Sequence, residues 1–171
     1  RFLTFVLVII AIAMFVLVLR IRRERRDLFV RALLIGLGIP AQAVIGGISV
    51  LTQLNPYVVG LHFVASVILV VLSTVLVYRA YLGPATVTSV VPLWMHALAH
   101  STVVLTAITI AVGIITTGSG PHAGDSGAAR NGLDSELLQH LHTWPAYPPL
   151  APTLVFVLGA LLLRAGHAGA S

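Results

Sequence analysis

Histidine is the residue type in this chain with the widest chemistry, because imidazole binds metal ions and haem iron and exchanges protons near neutral pH. The 171 residues include seven histidines and no cysteine. Disulfides, thiolate zinc sites, iron–sulfur clusters and c-type haem attachment are therefore excluded within this chain. Imidazole is therefore the best candidate ligand in this chain for a metal or a haem.

The surroundings of these histidines are apolar. Hydrophobic residues make up 58% of the chain and charged residues 9%, and the mean hydropathy is +1.02. A soluble domain needs about a quarter of its residues charged to cover its surface, so we expect the solvent of this protein to be largely a lipid bilayer. The net charge of +5 comes from arginines grouped between apolar runs, a pattern typical of membrane orientation and not of nucleic-acid binding.

Five apolar stretches are long enough, or nearly so, to cross a bilayer as helices, which takes about 20 residues. They are Phe2–Leu19, Ala32–Leu51, Tyr57–Tyr78, Leu93–Ile115 and Trp144–Leu163. The stretches lack the alternation of strands, and a helix satisfies its backbone hydrogen bonds within its own segment. The sequence therefore predicts an all-α fold, a polytopic transmembrane helical bundle with about five spans.

The arginines predict how these spans are oriented. The segment RIRRERR, Arg20–Arg26, is the strongest positive cluster and lies between the first two stretches. The positive-inside rule places it in the cytoplasm, and alternation then places the loop of residues 117–141 outside the cell. This glycine-rich loop opens with TGSGPHAGD and contains Arg130, the one arginine that departs from the rule. We expect a multi-pass protein of the cell membrane.

This orientation brings two histidines to the outer side of the membrane. His62 lies about one turn into the third stretch from its outer end, and His142 lies at the outer end of the fifth. Histidines at matching depth on different helices suit haem ligation in a helical bundle, because imidazole binds the iron and apolar helices hold the macrocycle. The alternative is that each is an interfacial histidine, half in water.

The other histidines give weaker signals. His96 and His100 are four residues apart and share a helix face near the cytoplasmic end of the fourth stretch. They could bind a metal, but no carboxylate or further histidine lies at that depth, and the alternative is that both face the bundle or the inner interface. His122, His140 and His167 are expected in the outer loop, on an amphipathic helix before the last span, and in the tail.

Several further residues have structural interpretations. Polar side chains in the spans are expected to bridge helices, Gly46–Gly47 to allow close helix approach, and Pro40 to kink the second span. Asp134 or Ser135 is expected to cap a short helix through SELLQHLH. The polar set is Gln42, Ser66, Ser73 and Thr74. All five acidic residues lie outside the apolar spans, which disfavours a proton pump or an ion-coupled transporter.

Two motifs carry a family resemblance. The stretch GGISVLTQLNPYVVGLHFVAS, Gly46–Ser66, contains a Gly-Gly, a Leu-Thr, an Asn-Pro-aromatic and a His-Phe in that order. The stretch TGSGPHAGD is followed by ARNGLD and LLQHLH. Both motifs, in order and at the right separation, resemble the haem A synthase family, particularly its high-GC Gram-positive branch. The resemblance covers nearly all of the chain, as spans two to six of a family pattern of eight.

The resemblance implies an enzyme that oxidises the C8 methyl of haem O to a formyl group, giving haem A for terminal oxidases. In such a pseudo-symmetric eight-helix protein, residues 1–90 would be the later part of the N-terminal half, which holds the substrate haem. Residues 91–171 would open the C-terminal half, which holds a haem b cofactor. His62 matches the family's ligand for haem O, and His142 matches its first ligand for haem b.

The resemblance also implies a chain that extends beyond this sequence. The family's catalytic glutamate would precede Arg1 and a second haem b ligand would follow Ser171, so the catalytic residue is unknown here and this piece alone is expected to be inactive. The implied partners are haem O, haem O synthase and an extracytoplasmic electron acceptor. The loop around Gly118–Asp125 would cover the haem sites or contact that acceptor, unless it is a solvated connector.

One departure from the family pattern concerns His142. The segment HTWPAYPPLAP holds several prolines, which shorten the regular apolar run to about Leu150–Leu163 and put His142 on a distorted or non-helical start. The segment WMHALAH in the fourth span is not expected from the family pattern either. Two other functions stay open: a non-enzymatic transport or assembly subunit without haem, and a b-type cytochrome that only carries electrons.

Overall fold

A computed structural model describes residues 2–83, 92–120, 127–148 and 150–168 of the chain. The helices are α1 (Phe2–Arg20), α2 (Arg26–Leu51), α3 (Pro56–Leu82), α4 (Leu93–Ser119), α5 (Ser135–Ala146) and α6 (Leu150–Ala168). These described ranges contain no strand, so the predicted all-α fold is confirmed. The middle of the predicted outer loop, with His122, lies outside the described residues.

Three helices are long and apolar enough to cross a membrane, namely α2, α3 and α4, with 26, 27 and 27 residues. A shorter apolar helix covers Thr4–Arg20 within α1. Large apolar side chains on these helices point outward, and Leu51 and Leu93 are 83% and 84% exposed. Such a surface suits lipid better than water. The number of spans and their orientation stay predictions.

The chain divides into two compact units, Arg1–Val87 and Thr88–Ser171. The first unit contains α1, α2 and α3, and the second contains α4, α5 and α6. The junction falls in residues 84–91, outside the described ranges. The predicted assignment of residues 1–90 and 91–171 to two halves of a larger protein stays a prediction.

In the first unit, α2 packs against both α1 and α3. Its inward face carries Leu28, Ala32 and Ile35, which recur at helical spacing and are all buried. Val18 of α1 and Leu76 of α3 complete this core. Ala32 has no exposed surface, and its small side chain lets the neighbouring helices approach α2 closely.

In the second unit, α4 packs against both α5 and α6. The start of α5 is capped by Asp134, whose carboxylate accepts hydrogen bonds from the backbone N–H groups of Glu136 and Leu137 at 2.9 and 3.1 Å. This confirms the predicted short helix and identifies Asp134 as its cap. On α4, Met95 is fully buried and Trp94 lies against Gly159 of α6.

The prolines after His142 divide the predicted fifth span. Helix α5 ends at Ala146 and α6 begins at Leu150, so Trp144–Leu163 is not one helix. Proline lacks the backbone N–H that the next helical turn needs, and Pro148–Pro149 together stop the helix. The predicted regular run from Leu150 is confirmed. In the first unit, by contrast, α2 is a single helix through Pro40.

Arg25 joins the start of α2 to the end of α3. Its guanidinium donates from Nη2 to the backbone carbonyl of Arg79 at 2.7 Å and from Nε to the carboxylate of Asp27 at 3.1 Å. The Arg79 carbonyl belongs to the last turn of α3, where carbonyls have no partner within the helix. The Arg25 side chain is only 14% exposed, so this contact is better shielded from water than the rest of the RIRRERR segment.

We expect Arg25→Ala to lower the free energy of unfolding by about 1–3 kcal/mol, because it removes a charge-assisted bond to a helix end. Arg22→Ala is the matched control, since Arg22 is exposed and lies in the same segment. Thermal unfolding of both variants in detergent checks this. Equal stability of the two variants would show that the Arg25–Arg79 contact contributes nothing.

Candidate functional site

His62 lies in the second turn of α3, and the start of that helix is fixed by local chemistry. The side chain of Asn55 accepts a hydrogen bond from the backbone N–H of Tyr57 at 3.0 Å. Pro56 occupies the first helical position, where its missing N–H costs nothing and its fixed φ suits the helix. The Asn-Pro pair therefore sets where α3 begins and, with it, the depth of His62 along the helix.

The imidazole of His62 packs on Gly46 of α2. A Cβ at Gly46 would lie 3.5 Å from Cε1 and 3.7 Å from Nδ1 of the ring, with Nε2 beyond 4 Å. A Cβ at Gly46 would thus make only an ordinary contact with the ring, and a Cβ at Gly47 would meet nothing within 4 Å, so close helix approach at this glycine pair stays a prediction. Nδ1 of His62 is buried without a hydrogen-bond partner among the described residues. Nε2 is the nitrogen turned away from α2.

Gln42, one turn before Gly46 on α2, holds the backbone of α3 beside this ring. Its amide Nε2 donates to the carbonyl of His62 at 3.1 Å and to the hydroxyl of Ser66. The Ser66 hydroxyl in turn donates to the His62 carbonyl at 2.9 Å. The amide oxygen of Gln42 is buried without a partner among the described residues. The predicted bridging role is confirmed for Gln42 and Ser66.

The same bridging prediction is wrong for Ser73 and Thr74. Their hydroxyls donate to carbonyls of their own helix, Leu69 at 2.8 Å and Val70 at 2.9 Å. In a helix, a serine or threonine hydroxyl can donate a hydrogen bond to the carbonyl four residues earlier, so it needs no partner on a neighbouring helix. Short hydroxyl side chains therefore bridge helices only where the two backbones are close.

His142 lies in α5 of the second unit, and its ring packs on Gly113 of α4. A Cβ at Gly113 would lie 2.8 Å from Cε1, 3.3 Å from Nδ1 and 3.5 Å from Nε2 of His142. The ring therefore points Cε1 at the α4 backbone, with a nitrogen on each side. Nδ1 is buried without a hydrogen-bond partner among the described residues. The residue lies within helix α5, so the expected non-helical start is wrong.

Two threonines of α4 flank this contact. Thr116 donates to the carbonyl of Leu138 at 3.1 Å, and Thr109 donates to the carbonyl of Pro145 at 2.7 Å. We refer to Thr109, Gly113 and Thr116 as the α4 seam. The seam was not predicted from the sequence, although the spacing of four and three residues places its members on one helix face.

Three of the remaining histidines, His96, His100 and His140, have described side chains. His96 and His100 lie one turn apart on α4 as predicted, and Nδ1–H of His100 donates to the carbonyl of His96 at 2.6 Å. His140 is exposed on α5, and His167 falls in α6, where its side chain lies outside the described part of the structure. The described residues contain no group of three or more His, Cys, Asp or Glu side chains that could hold a metal ion.

The end of the predicted outer loop returns to the C-terminal end of α4. The side-chain amide of Asn131 donates to the carbonyl of Ile115 at 2.8 Å, and its backbone N–H donates to the carbonyl of Gly118 at 3.0 Å. Gly132 follows with φ of 72°, a left-handed conformation that glycine adopts without strain. The Asn-Gly pair therefore anchors the segment that leads into α5 and carries His142 to α4.

The structure places His62 and His142 in different compact units, each against a glycine of its own unit. In both cases, one imidazole nitrogen is buried without a protein partner among the described residues. Each unit therefore presents one imidazole as a candidate axial ligand. The common membrane depth of the two histidines stays a prediction.

We expect Gln42→Ala to lower the free energy of unfolding by about 1–2 kcal/mol, because its amide bonds two groups of α3 in apolar surroundings. Ser73→Ala is the control, since the Ser73 hydroxyl bonds only its own helix and its loss should change stability by about 0.5 kcal/mol or less. Thermal unfolding in detergent compares the two. A cost for Gln42→Ala no larger than that for Ser73→Ala would contradict the bridging role.

Comparisons with known proteins found no relative of this chain. No family model, curated protein or solved structure matches this chain. The resemblance of Gly46–Ser66 and of the loop before α5 is thus a similarity of motifs, and the candidate site is defined by the two glycine-facing histidines.

Proposed function

We propose that this chain is part of a membrane-bound haem A synthase, in which His62 is an axial ligand of the substrate haem O and His142 an axial ligand of a haem b cofactor. One observation supports this most directly. Each compact unit seats one imidazole against a glycine of a neighbouring helix and leaves its Nδ1 buried without a partner among the described residues. A buried, unpaired polar atom costs about 1–3 kcal/mol, so the seating of each ring is not explained by stability alone.

The surroundings of His62 fit an iron ligand. Nε2 is turned away from α2 and is the nitrogen that would bind iron. A ligating histidine normally donates its other ring N–H to an acceptor, which fixes the ring and raises its basicity. The unpaired amide oxygen of Gln42 lies one turn from Gly46 on the same helix and is the acceptor available for this role.

His142 fits the same role through a tighter contact. Its ring points Cε1 at Gly113, and both nitrogens lie beside the α4 backbone. The helix that carries it is amphipathic in sequence, and His140 on that helix is exposed. His142 would therefore hold a haem with one fixed imidazole, and the family resemblance implies a second ligand from elsewhere.

The haem and the residues of this chain would have different roles in the reaction. Bound haem would supply the redox chemistry for oxidising the C8 methyl to a formyl group, with the oxygen atom taken from water and the released electrons passed to an acceptor outside the cell. The residues of this chain would bind iron through imidazole, orient the rings through glycine contacts, and enclose the macrocycle with apolar helices. The catalytic glutamate that the resemblance implies is not assigned to any residue of this chain.

The test is haem content and haem A production in the full-length protein, with each histidine replaced in turn. We expect His62→Ala to reduce conversion of haem O to haem A at least about tenfold, and His142→Ala to reduce bound haem b to a similar extent. His140→Ala is the matched control, because His140 is exposed on the same helix as His142. Absorption spectra and chromatography of extracted pigments give both quantities.

Each alternative function has its own outcome in this test. A full-length protein that binds no haem would indicate a transport or assembly subunit. A protein that binds haem but makes no haem A would indicate a b-type cytochrome. Wild-type haem content in both His62→Ala and His142→Ala would rule out the proposed ligands.

A further inference from the structure

We propose that the α4 seam of Thr109, Gly113 and Thr116 is a positioning device for the His142 ring, and that Gly113 is the residue that sets where the ring lies. The seam occupies positions i, i+4 and i+7 of α4 and therefore forms one line along the helix. Leu138, His142 and Pro145 have the same spacing on α5. The positioning itself stands on the contacts, whereas its effect on a haem rests on the proposed function.

The seam pairs with α5 at three levels. At its two ends, the hydroxyls of Thr116 and Thr109 bond the carbonyls of Leu138 and Pro145, one turn on either side of His142. At its centre, Gly113 faces the His142 ring. Hydrogen bonds to backbone atoms fix the height and rotation of α5, which packing of apolar side chains alone would leave free to slide.

The bond from Thr109 has a specific cause in the sequence. Within a helix, the carbonyl of Pro145 would accept from the N–H four residues later, but that position is Pro149, which has none. The hydroxyl of Thr109 supplies the missing donor from α4 at 2.7 Å. The Thr109 hydroxyl also lies 2.9 Å from the carbonyl of Leu105 in its own helix, so its single proton is shared between the two carbonyls.

Gly113 then determines the position of the ring. Its Cβ would come to 2.8 Å from Cε1 of His142, a separation at which one of the two groups must move. The ring cannot retreat with its helix, because α5 is bonded to α4 on both sides of His142. A methyl group at position 113 must therefore turn the ring. At Gly46, the equivalent distance to His62 is 3.5 Å, an ordinary contact.

A double-mutant cycle between positions 113 and 142 tests this without haem. Full-length protein is prepared haem-free from cells in which haem synthesis is blocked, and thermal midpoints are measured in detergent. In the protein with His142, we expect Gly113→Ala to lower the thermal midpoint by roughly 2–10 °C. In the His142→Ala background, which lacks the ring, we expect no such decrease. Gly47→Ala is the control, because a Cβ there meets nothing within 4 Å.

The second measurement uses haem-loaded protein and a readout that simple loss of stability does not move. We expect Gly113→Ala to shift the electron paramagnetic resonance g-values and the midpoint potential of the haem bound by His142, because both depend on the orientation of the axial imidazole. Gly47→Ala should leave both at the wild-type values.

The outcomes separate the two proposals. An equal cost of Gly113→Ala with and without the His142 ring, or no cost in either, overturns the positioning role whatever the haem data show. A cycle that shows coupling while His142→Ala retains all haem b supports positioning and overturns ligation by His142. Coupling together with unchanged spectra in Gly113→Ala overturns the effect of the seam on the haem.

Discussion

The contact between an imidazole ring and the backbone of a neighbouring helix at a glycine determines both candidate sites. At Gly46 and Gly113, a Cβ would lie 3.5 and 2.8 Å from the Cε1 atoms of His62 and His142. Nδ1 of each ring is buried without a hydrogen-bond partner among the described residues, which is unfavourable in an apolar protein. Folding gains little from such a nitrogen, whereas a site that holds a porphyrin iron gains a ring of fixed orientation.

The two units fix their histidines with different polar groups. In the first, the amide of Gln42 bonds the carbonyl of His62 itself and the hydroxyl one turn later. In the second, hydroxyls of Thr109 and Thr116 bond carbonyls on either side of His142. In both units, the side chain that positions the histidine bonds the backbone of its helix and leaves the ring alone. None of these hydrogen bonds is made to a ring nitrogen.

Much of this arrangement could be predicted from the sequence where one cause dominates. The lengths of the apolar stretches predicted the helices, and Asp134 predicted the start of α5. Gln42, the only amide side chain in the second span, predicted a hydrogen bond between helices. The interactions that were missed depend on which helix faces are in contact. Ser73 and Ser66 have the same side chain, but only Ser66 lies opposite a partner on α2. Gly113 likewise matters only because helix α5 places the His142 ring against it.

The prolines that follow His142 end its helix without removing it from its site. Each proline withholds one backbone N–H, so carbonyls in the last turn of α5 need donors from elsewhere. One of these carbonyls, at Pro145, receives the hydroxyl of Thr109, which ties the weakened end of α5 to α4. His142 precedes this tie by less than one turn and lies within regular helix. The prolines therefore change the chain after His142, and the Thr109 hydroxyl of α4 provides a hydrogen-bond donor to the end of α5.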